Sequence, residues 1–322
     1  MTFDGTTTSK QVVEAFTNQA VNKTFVITGA GKPSIGSKMA TDLSTTSVNH
    51  ILIASRTKAK VDAVFEDIKT INPKVKLTFV QVDLSDHASV RKAAKEILAA
   101  APKIDILVNS AGVMCIKDYT VDRQGIEMQL SANHIGHFLL TNLLVPALLA
   151  AAQDSGSARV VNLTSSGYQI SPLRGDYNFS NGADYDHWTG YGQAKTANIL
   201  FAYGLSRRLE NYKITATAAH PGYNGDTQLG THLVMDDYYE VSPTMKRRTG
   251  KEFIFEEPRY KTYDQIAATP LIAALDPDIP AQSPAYLVNS HMEEPLEHAT
   301  AIIEDNKLWK LSEELVKQNF SW

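Results

Sequence analysis

The sequence predicts a doubly wound α/β fold, with a mainly parallel seven-stranded sheet and helices on both of its faces. The first observation is a series of seven short apolar runs, each as long as a strand that is covered on both faces. These runs are 25–28, 51–54, 77–82, 106–109, 160–163, 214–218 and 285–288. The second is that helical patterns alternate with them, near 35–46, 57–70, 86–100, 124–151, 191–211, 262–275 and 304–317. Such βα repeats imply right-handed crossovers and a ligand site beyond the carboxyl ends of the strands.

Composition indicates a single globular domain and excludes several classes of function. The 322 residues carry a net charge of −4, so the chain lacks the basic bias of a protein that binds nucleic acid or anionic lipid. Cys115 is the only cysteine, which excludes an intrachain disulfide and favours a cytoplasmic location. The most apolar stretch, 138–152, is too short to span a bilayer and is predicted to be a buried helix.

Two segments depart from the alternation of strands and helices. Residues 1–22 are predicted to be an N-terminal appendage with one short helix, and 23–320 to be the main domain. Residues 223–260 are rich in tyrosine, aspartate, proline and charged residues, and they contain no clear strand. An insertion of this length is either a functional lid or disordered. Because it follows the sixth strand, above the expected site, we predict a substrate lid.

A glycine-rich turn follows the first strand, in the sequence Thr28-Gly-Ala-Gly-Lys-Pro-Ser-Ile-Gly36. Glycines allow the backbone to turn tightly and to approach a pyrophosphate, which the free N–H groups of the next helix attract. A glycine-rich loop alone is equally compatible with an ordinary turn. Its position directly after the first strand favours dinucleotide binding.

The end of the second strand indicates which dinucleotide is bound. Chains that select NAD usually carry an acidic side chain here, to hold the ribose 2′-hydroxyl. The stretch 54–57 has no acid, but it contains Arg56, whose guanidinium can pair with a 2′-phosphate. Lys32 in the glycine turn adds a second cation. We therefore expect NADP(H), with a solvated Arg56 as the alternative.

A tyrosine and a lysine with the right spacing for proton transfer lie in the fifth βα unit. Tyr191 precedes Lys195 by one helical turn, which places both on one face, and no other tyrosine here has a lysine four residues later. The strand before them ends in Thr164-Ser165-Ser166. A phenol, an ammonium and a hydroxyl in this order can move a proton while a nicotinamide exchanges a hydride.

Together these motifs resemble the short-chain dehydrogenase/reductase superfamily over residues 23–320, which implies a Rossmann-type fold. Within them, the stretches 51–56, 133–138, 220–222 and 308–312 are similar to the retinol-dehydrogenase-like branch. The glycine turn departs from the family pattern, since Ser34 stands where the middle glycine is usual and the turn is one residue longer. The segment between Gly222 and Thr227 is also one residue longer.

The resemblance implies a catalytic set of Asn133, Ser165, Tyr191 and Lys195. It also implies a set of cofactor-binding residues, namely Gly29, Lys32, Ser34, Ile35, Gly36, Arg56, Asp83, Leu84, Asn109, Ala111, Gly112, Tyr191, Lys195, Pro221, Gly222 and Thr227. Some of these positions have a purely structural alternative. Asp83 is equally suited to a helix cap or turn, Asn109 to a backbone clamp, Ser165 to a strand cap, and Asn133 to a buried carbonyl inside a helix.

Charge balance then assigns the roles. Tyr191 donates the proton to a carbonyl oxygen that Ser165 holds, and the ammonium of Lys195 lowers the pKa of the phenol. The resemblance implies that Lys195 also binds the nicotinamide ribose and that Asn133 holds a water for proton return. We expect an NADP(H)-dependent reductase of a ketone or aldehyde, acting reversibly on a small-molecule carbonyl or alcohol; a homo-oligomer is compatible. The alternatives are a dinucleotide-sensing regulator and a nicotinamide-assisted enzyme with no net redox change.

Other conspicuous side chains receive weaker assignments. The histidines at 134, 137 and 220 lack acidic partners at metal-ligand spacing, so they are interpreted as packing or loop residues, and no metal site is predicted. Four aromatic residues lie between Ser165 and Tyr191, where they are equally suited to a substrate wall or to the core. These are Tyr168, Phe179, Tyr185 and Trp188.

Overall fold

The computed structural model describes residues 2–322, which form one sheet of eight strands. In chain order they are β1 (Thr24–Thr28), β2 (His50–Ser55), β3 (Lys76–Gln81), β4 (Ile106–Asn109), β5 (Ala158–Leu163), β6 (Ile214–Ala219), β7 (Ala285–Val288) and β8 (His291–Glu293). Their order across the sheet is β3-β2-β1-β4-β5-β6-β7-β8, and all neighbours are parallel except β7 and β8. The doubly wound parallel sheet is thus confirmed, and each of the seven predicted strands is present.

The predicted sheet lacked β8, a short antiparallel strand at its edge. Asn289 (φ 52°) and Ser290 (φ 67°) both lie in the left-handed region. They form a two-residue hairpin turn that pairs Val288 with His291. Only Met292 of the three residues of β8 is apolar, and its two neighbours are exposed, so β8 leaves no apolar run in the sequence.

Helices cover both faces of the sheet, as predicted. They are α1 (Ser9–Ala15), α2 (Thr17–Ala20), α3 (Ile35–Leu43), α4 (Lys58–Ile71), α5 (His87–Ala100), α6 (Met128–Leu130), α7 (Gly136–Ser155), α8 (His187–Leu209), α9 (Met235–Tyr239), α10 (Val241–Thr249), α11 (Tyr263–Ile266), α12 (Ala268–Leu275) and α13 (Ile302–Val316). Alternate side chains of β1 point into separate cores: Val26 packs with α5, α7, α8 and α13, whereas Phe25 and Ile27 pack with α1, α3, α4 and α12.

The long helical stretch Met128–Ser155 is apolar enough to cross a membrane by length and composition alone. Of its most apolar window, 78% is buried inside the fold, where Phe138 lies 5.0 Å from Trp309 and 5.4 Å from Phe201, ring centroid to ring centroid. The stretch therefore packs as a core helix, which agrees with the buried helix predicted for 138–152. A π-helical turn, Ser131–Ile135, separates α6 from α7.

The segment before β1 forms two helices, where one short helix was predicted. Thr8 caps α1 reciprocally with Gln11: the Gln11 amide N–H donates to the Thr8 hydroxyl at 3.4 Å, and the Thr8 amide N–H donates to the Gln11 side-chain oxygen at 2.8 Å. Val12 and Val13 are buried in the same core as α12. The segment therefore packs against the main domain.

The insertion 223–260 contains α9 and α10, followed by an extended return. Val241 and Met245 of α10 are buried against Trp188 and Tyr191 of α8. The side-chain nitrogen of Gln169 donates to the Ile254 carbonyl at 2.9 Å, and its oxygen accepts from the Ile254 amide at 3.1 Å. The segment is therefore packed over the residues of the predicted site.

Candidate active site

Tyr191 and Lys195 lie on the buried face of α8, beside the carboxyl end of β5. Tyr191 is 4% exposed and Lys195 is 5% exposed. The Thr164 hydroxyl donates to the Lys195 carbonyl at 2.8 Å, and the side-chain nitrogen of Asn198 donates to the Leu163 carbonyl at 2.9 Å. These two hydrogen bonds fix α8 against the strand end.

Ser165 lies two residues after the end of β5, and its hydroxyl lies close enough to the Tyr191 hydroxyl to lower the pKa of the phenol. Its own hydroxyl also accepts from the Gly167 amide at 3.1 Å. A Cβ at Gly167 would lie 2.9 Å from the Tyr191 ring and 3.4 Å from the Ser165 hydroxyl. The absence of a side chain at Gly167 therefore allows the phenol to pack beside Ser165, as the predicted catalytic set requires.

Burial perturbs both titratable groups of this set. The sequence predicted that Lys195 lowers the pKa of the phenol, but burial instead raises the pKa of Tyr191 far above its usual value, while the contact with Ser165 acts in the opposite direction. Burial lowers the pKa of Lys195 to about 8. The Lys195 ammonium lies 5.5 Å from the centroid of the Tyr191 ring and 3.4 Å from the Leu163 carbonyl oxygen. At neutral pH the phenol is therefore protonated, and most Lys195 side chains are charged.

Asn133 occupies the π-helical turn before α7. Its side-chain oxygen accepts from the Val113 amide at 2.7 Å, and its side-chain nitrogen donates to the Val113 carbonyl at 2.9 Å. The side-chain amide of Asn133 thus satisfies a buried carbonyl, which was the structural alternative to its catalytic role. A Cβ at Gly112 would lie 2.8 Å from the Asn133 side-chain oxygen and 3.7 Å from the Lys195 nitrogen. Gly112 therefore lies where Asn133 and Lys195 approach each other.

The glycine turn joins the end of β1 to α3. Gly29 has φ +68°, and a Cβ there would lie 2.5 Å from the Cα of Ala111, so only glycine allows this approach of β1 to the chain after β4. The Ser34 hydroxyl caps α3 by accepting from the Ser37 amide at 3.0 Å. The first-turn amides, including those of Ile35 and Gly36, have no acceptor within the helix. These amides and the close turn fit the pyrophosphate of a dinucleotide.

The predicted cations at the adenosine end are not equivalent. Lys32 forms an ion pair with Asp67 at 2.6 Å, whereas the exposed Arg56 has no carboxylate partner within residues 2–322. Lys60 is a further cation that the motif analysis missed. Its Cβ lies 3.0 Å from the Cβ position of Gly31, and in the described part of the chain it too forms no ion pair. The available signal was its position in the first turn of α4, four residues after Arg56.

Several predicted cofactor residues use their side chains for local structure. The carboxylate of Asp83 accepts from the Ser85 amide at 3.0 Å, and Leu84 is buried. The side-chain nitrogen of Asn109 donates to side chains on α7 and β5 at 2.9 and 2.8 Å. The Thr227 hydroxyl donates to a carbonyl three residues earlier at 3.3 Å. These contacts match the turn alternative for Asp83 and the clamp alternative for Asn109.

Pro221 and Gly222 follow β6. Gly222 has φ +93°, and a Cβ there would lie 2.5 Å from the Lys261 side chain. The preceding His220 is paired with Glu256 at 2.7 Å, an acidic partner that is 36 residues away and therefore invisible to motif spacing. No cluster of three or more metal-ligating side chains occurs among the residues that the structure describes.

An apolar wall surrounds Tyr191. Of the four aromatic residues considered from the sequence, only Trp188 packs there, whereas Tyr168, Phe179 and Tyr185 pack elsewhere in the protein. The other members of the wall come from the chain after β4, from the segment after β5, from the insertion, and from the chain after β8. They are Met114, Cys115, Ile170, Leu233, Tyr238, Val241, Met245, Phe253 and Leu296.

Comparisons with known proteins identify the family of this chain. The family model described as short chain dehydrogenase matches residues 23–237. The chain is 34% identical to the oxidoreductase fscI of Fusarium equiseti over 243 residues, which cover 68% of this chain and 94% of that protein. It is 34% identical to the chloroplastic short-chain dehydrogenase TIC 32 A of Brassica napus over 92% of this chain and 90% of that protein. It is 37% identical to human retinol dehydrogenase 13 over 65% of this chain and 61% of that protein.

Solved structures show the same fold. A protein from Mycobacterium paratuberculosis is 28% identical, with a TM-score of 0.70 and coverage of 94% of this chain and 96% of that chain. Levodione reductase, at 19% identity, has a TM-score of 0.62 over 87% of this chain and 99% of that chain, which shows likeness of fold alone. The chain belongs to the short-chain dehydrogenase/reductase family, in its retinol-dehydrogenase-like branch.

Proposed function

We propose that this oxidoreductase uses NADP(H) to interconvert a carbonyl and an alcohol, and that it acts as a reductase of a ketone or aldehyde. The observation that carries the proposal is the buried contact between Ser165 and Tyr191, with the Lys195 ammonium 5.5 Å from the phenol ring. When bound, the nicotinamide supplies the hydride. The chain supplies a proton donor, a hydrogen bond to the substrate oxygen and a positive charge.

The chemistry of the chain follows from these three side chains. The usual pKa of a phenol lies above neutral pH and burial raises that of Tyr191 further, so Tyr191 is protonated and can donate a proton to an oxygen that gains negative charge. Ser165 stabilises that oxygen through its hydroxyl. The nearby charge of Lys195 then stabilises the phenolate that remains after donation. Lys195 would also hold the nicotinamide ribose.

The apolar wall supports a carbonyl compound with a hydrophobic body. Trp188, Met114 and the partly buried Leu233 contribute aromatic, thioether and aliphatic surface beside Tyr191. Polar groups would lose hydration here without compensation, whereas apolar groups gain about 25 cal/mol per Å² buried. Because Leu233, Val241 and Met245 belong to the insertion, we also propose that 223–260 acts as the substrate lid.

The reductase proposal is tested by following NADPH absorbance with a panel of ketones and aldehydes. We expect net oxidation of NADPH, and a loss of turnover of at least about 100-fold in Tyr191→Phe with little change in NADPH affinity. Tyr203→Phe is the matched control, because it removes a phenol from the same helix but outside the site. Cofactor binding without turnover across the panel would support the sensing alternative, and equal turnover in both variants would show that another acid acts.

NADP(H) preference is supported by Arg56 and Lys60, the two cations near the glycine turn that have no ion-pair partner in the described chain. A charge-assisted contact to a 2′-phosphate contributes about 1.5–3 kcal/mol, so Arg56→Ala should weaken NADPH binding about 10- to 150-fold. NADH lacks this phosphate, and its affinity should barely change. Lys58→Ala is the control, since Lys58 is paired with Asp62 at 2.6 Å. Equal weakening of both cofactors would refute the assignment.

A further inference from the structure

His137 lies in the first turn of α7, between the π-helical turn of Asn133 and the ends of β1 and β4. It is 2% exposed. Its Nδ1 lies 3.0 Å from the Asn133 carbonyl oxygen, and its Nε2 lies 2.8 Å from the Thr28 hydroxyl oxygen. Both ring nitrogens are therefore engaged, although the sequence suggested only a packing histidine.

Chemistry fixes the direction of both hydrogen bonds. A carbonyl oxygen only accepts, so the proton of the neutral ring is on Nδ1, which donates to Asn133. Nε2 then carries a lone pair and accepts from the Thr28 hydroxyl. Burial, together with the nearby charge of Lys195, lowers the pKa of His137 to about 4, so the ring is neutral under physiological conditions.

The Thr28 end of this chain of hydrogen bonds reaches the predicted floor of the cofactor site. The Thr28 hydroxyl oxygen accepts from the Ser110 amide at 2.9 Å and from the Ala111 amide at 3.1 Å. Because its proton is given to His137, its lone pairs are left free for these two amides. Thr28 thus joins the end of β1 to the chain after β4.

The Asn133 end reaches the proton-transfer set. The side chain of Asn133 is held by both backbone groups of Val113, and its carbonyl is held by His137. Gly112 lies between Asn133 and the Lys195 ammonium. A π-helical turn departs from the regular helical ladder. An additional donor at its carbonyl therefore fixes the backbone next to Lys195.

We propose that His137 is a positioning residue whose neutral ring makes two connections. Through Thr28 it holds the chain after β4 at the predicted floor of the cofactor site, and through Asn133 it holds the backbone next to Lys195. This inference rests on the proposed function for its kinetic consequence, but not for the hydrogen bonds themselves. The two connections have separate effects. The Thr28 connection governs NADPH affinity, and the Asn133 connection governs turnover at saturating NADPH.

Two substitutions separate the connections. His137→Asn keeps a donor near the position of Nδ1 and loses the acceptor for Thr28, so we expect weaker NADPH binding by about 10-fold and a smaller change in kcat. His137→Gln can place its amide oxygen near the position of Nε2 and loses the donor to Asn133, so we expect kcat to fall by about 10-fold with affinity retained. His137→Phe should show both losses.

Thr28→Val tests the shared connection, since it removes the hydroxyl and keeps the shape. Adding His137→Asn to Thr28→Val should weaken NADPH binding no further, whereas adding His137→Gln should still lower kcat. His50→Asn is the matched control: His50 is buried and bonded to the Thr78 hydroxyl at 2.9 Å, at the opposite end of the strands. His50→Asn should lower the midpoint of thermal unfolding without changing NADPH affinity or kcat.

Nitrogen NMR of the histidine-labelled full chain tests the hydrogen bonds without any turnover. We expect one of the nine histidines, identified as His137 by its loss in His137→Asn, to be neutral with its proton on Nδ1 from about pH 5 to 8. A proton on Nε2 or a charged ring in this range would overturn the proposal. The proposal would also be overturned if His137→Asn and His137→Gln lost NADPH affinity and kcat equally. It would fail in the same way if these losses were only as large as the drop in each variant's midpoint of thermal unfolding. A wild type without turnover but with this tautomer would refute the reductase assignment alone.

Discussion

Lys195 holds a positive charge where little water reaches it. Because a buried charge is unfavourable, we predict that replacing Lys195 by an uncharged residue stabilises the protein. The fall of its pKa from 10.5 to about 8 corresponds to roughly 3 kcal/mol of unfavourable charge burial at neutral pH. Lys195→Met keeps the aliphatic volume and loses one long hydrogen bond, of 3.4 Å, to the Leu163 carbonyl. We therefore expect Lys195→Met to raise the free energy of unfolding by about 2–3 kcal/mol at neutral pH while turnover is lost.

The pH dependence of this difference follows from proton binding. Below about pH 8 both the folded and the unfolded chain hold the Lys195 proton, so the cost of its burial is constant. Between about 8 and 10.5 only the unfolded chain holds it, so wild-type stability rises with pH relative to the Met variant. The difference in the free energy of unfolding between wild type and Lys195→Met should therefore be smaller at about pH 9.5 than at neutral pH, and urea unfolding at both pH values measures it.

The control for this experiment is Lys92→Met on α5, whose side chain is 79% exposed. It should change the free energy of unfolding by less than about 0.5 kcal/mol, with the same value at both pH values. Destabilisation by Lys195→Met, or a stabilisation that does not change with pH, would refute the argument from charge burial.

Three further substitutions test the surroundings of the site. Burial would raise the pKa of Glu256, but His220 lowers it to about 2. This pair therefore stabilises the insertion above about pH 4.5, and the stabilisation is lost as pH falls towards 2. Glu256→Gln should speed hydrogen exchange in 250–258. Ser312→Ala leaves the buried Nε2 of His134 without its 2.9 Å partner, and should cost about 1–3 kcal/mol in urea unfolding. Gly112→Ala places a Cβ 2.8 Å from an asparagine oxygen beside Lys195, and should lower kcat by about 10- to 100-fold.

The parallel strands and the residues at their ends were readily predicted because each has a local signal. A strand that is covered on both faces appears as an apolar run, and carboxyl ends of parallel strands meet at one edge of the sheet. This logic predicted that Ser165, Tyr191 and Lys195 lie close together, and the structure places them so; their catalytic roles stay predictions. The edge strand β8 has no such signal, since it is defined by the turn at Asn289 and Ser290 and by its pairing with β7.

The partners of buried polar groups could not be predicted, because they depend on the packing of distant segments. His220 meets Glu256 only because the return of the insertion crosses the end of β6. His137 meets Thr28 across 109 residues. Asn133, which lies in the π-helical turn, hydrogen-bonds through its side chain to the backbone of Val113. Cofactor preference, the role of the lid and the cytoplasmic location stay predictions, because each depends on a molecule or a compartment outside the chain.

Burial of the site acts on Tyr191 and Lys195 in opposite directions, and the protonated phenol that results suits the proton-donating step of the proposed reduction. Exclusion of water raises the pKa of the phenol and lowers that of the ammonium, so each group shifts towards its neutral form. A protonated phenol is a proton donor, which a carbonyl reductase needs, whereas alcohol oxidation needs the phenolate. Val241 and Met245 of the insertion pack in the same cluster as Tyr191 and help to exclude water. Closure of this segment over a substrate would therefore both bury the apolar body of the carbonyl compound and maintain the acid that protonates it.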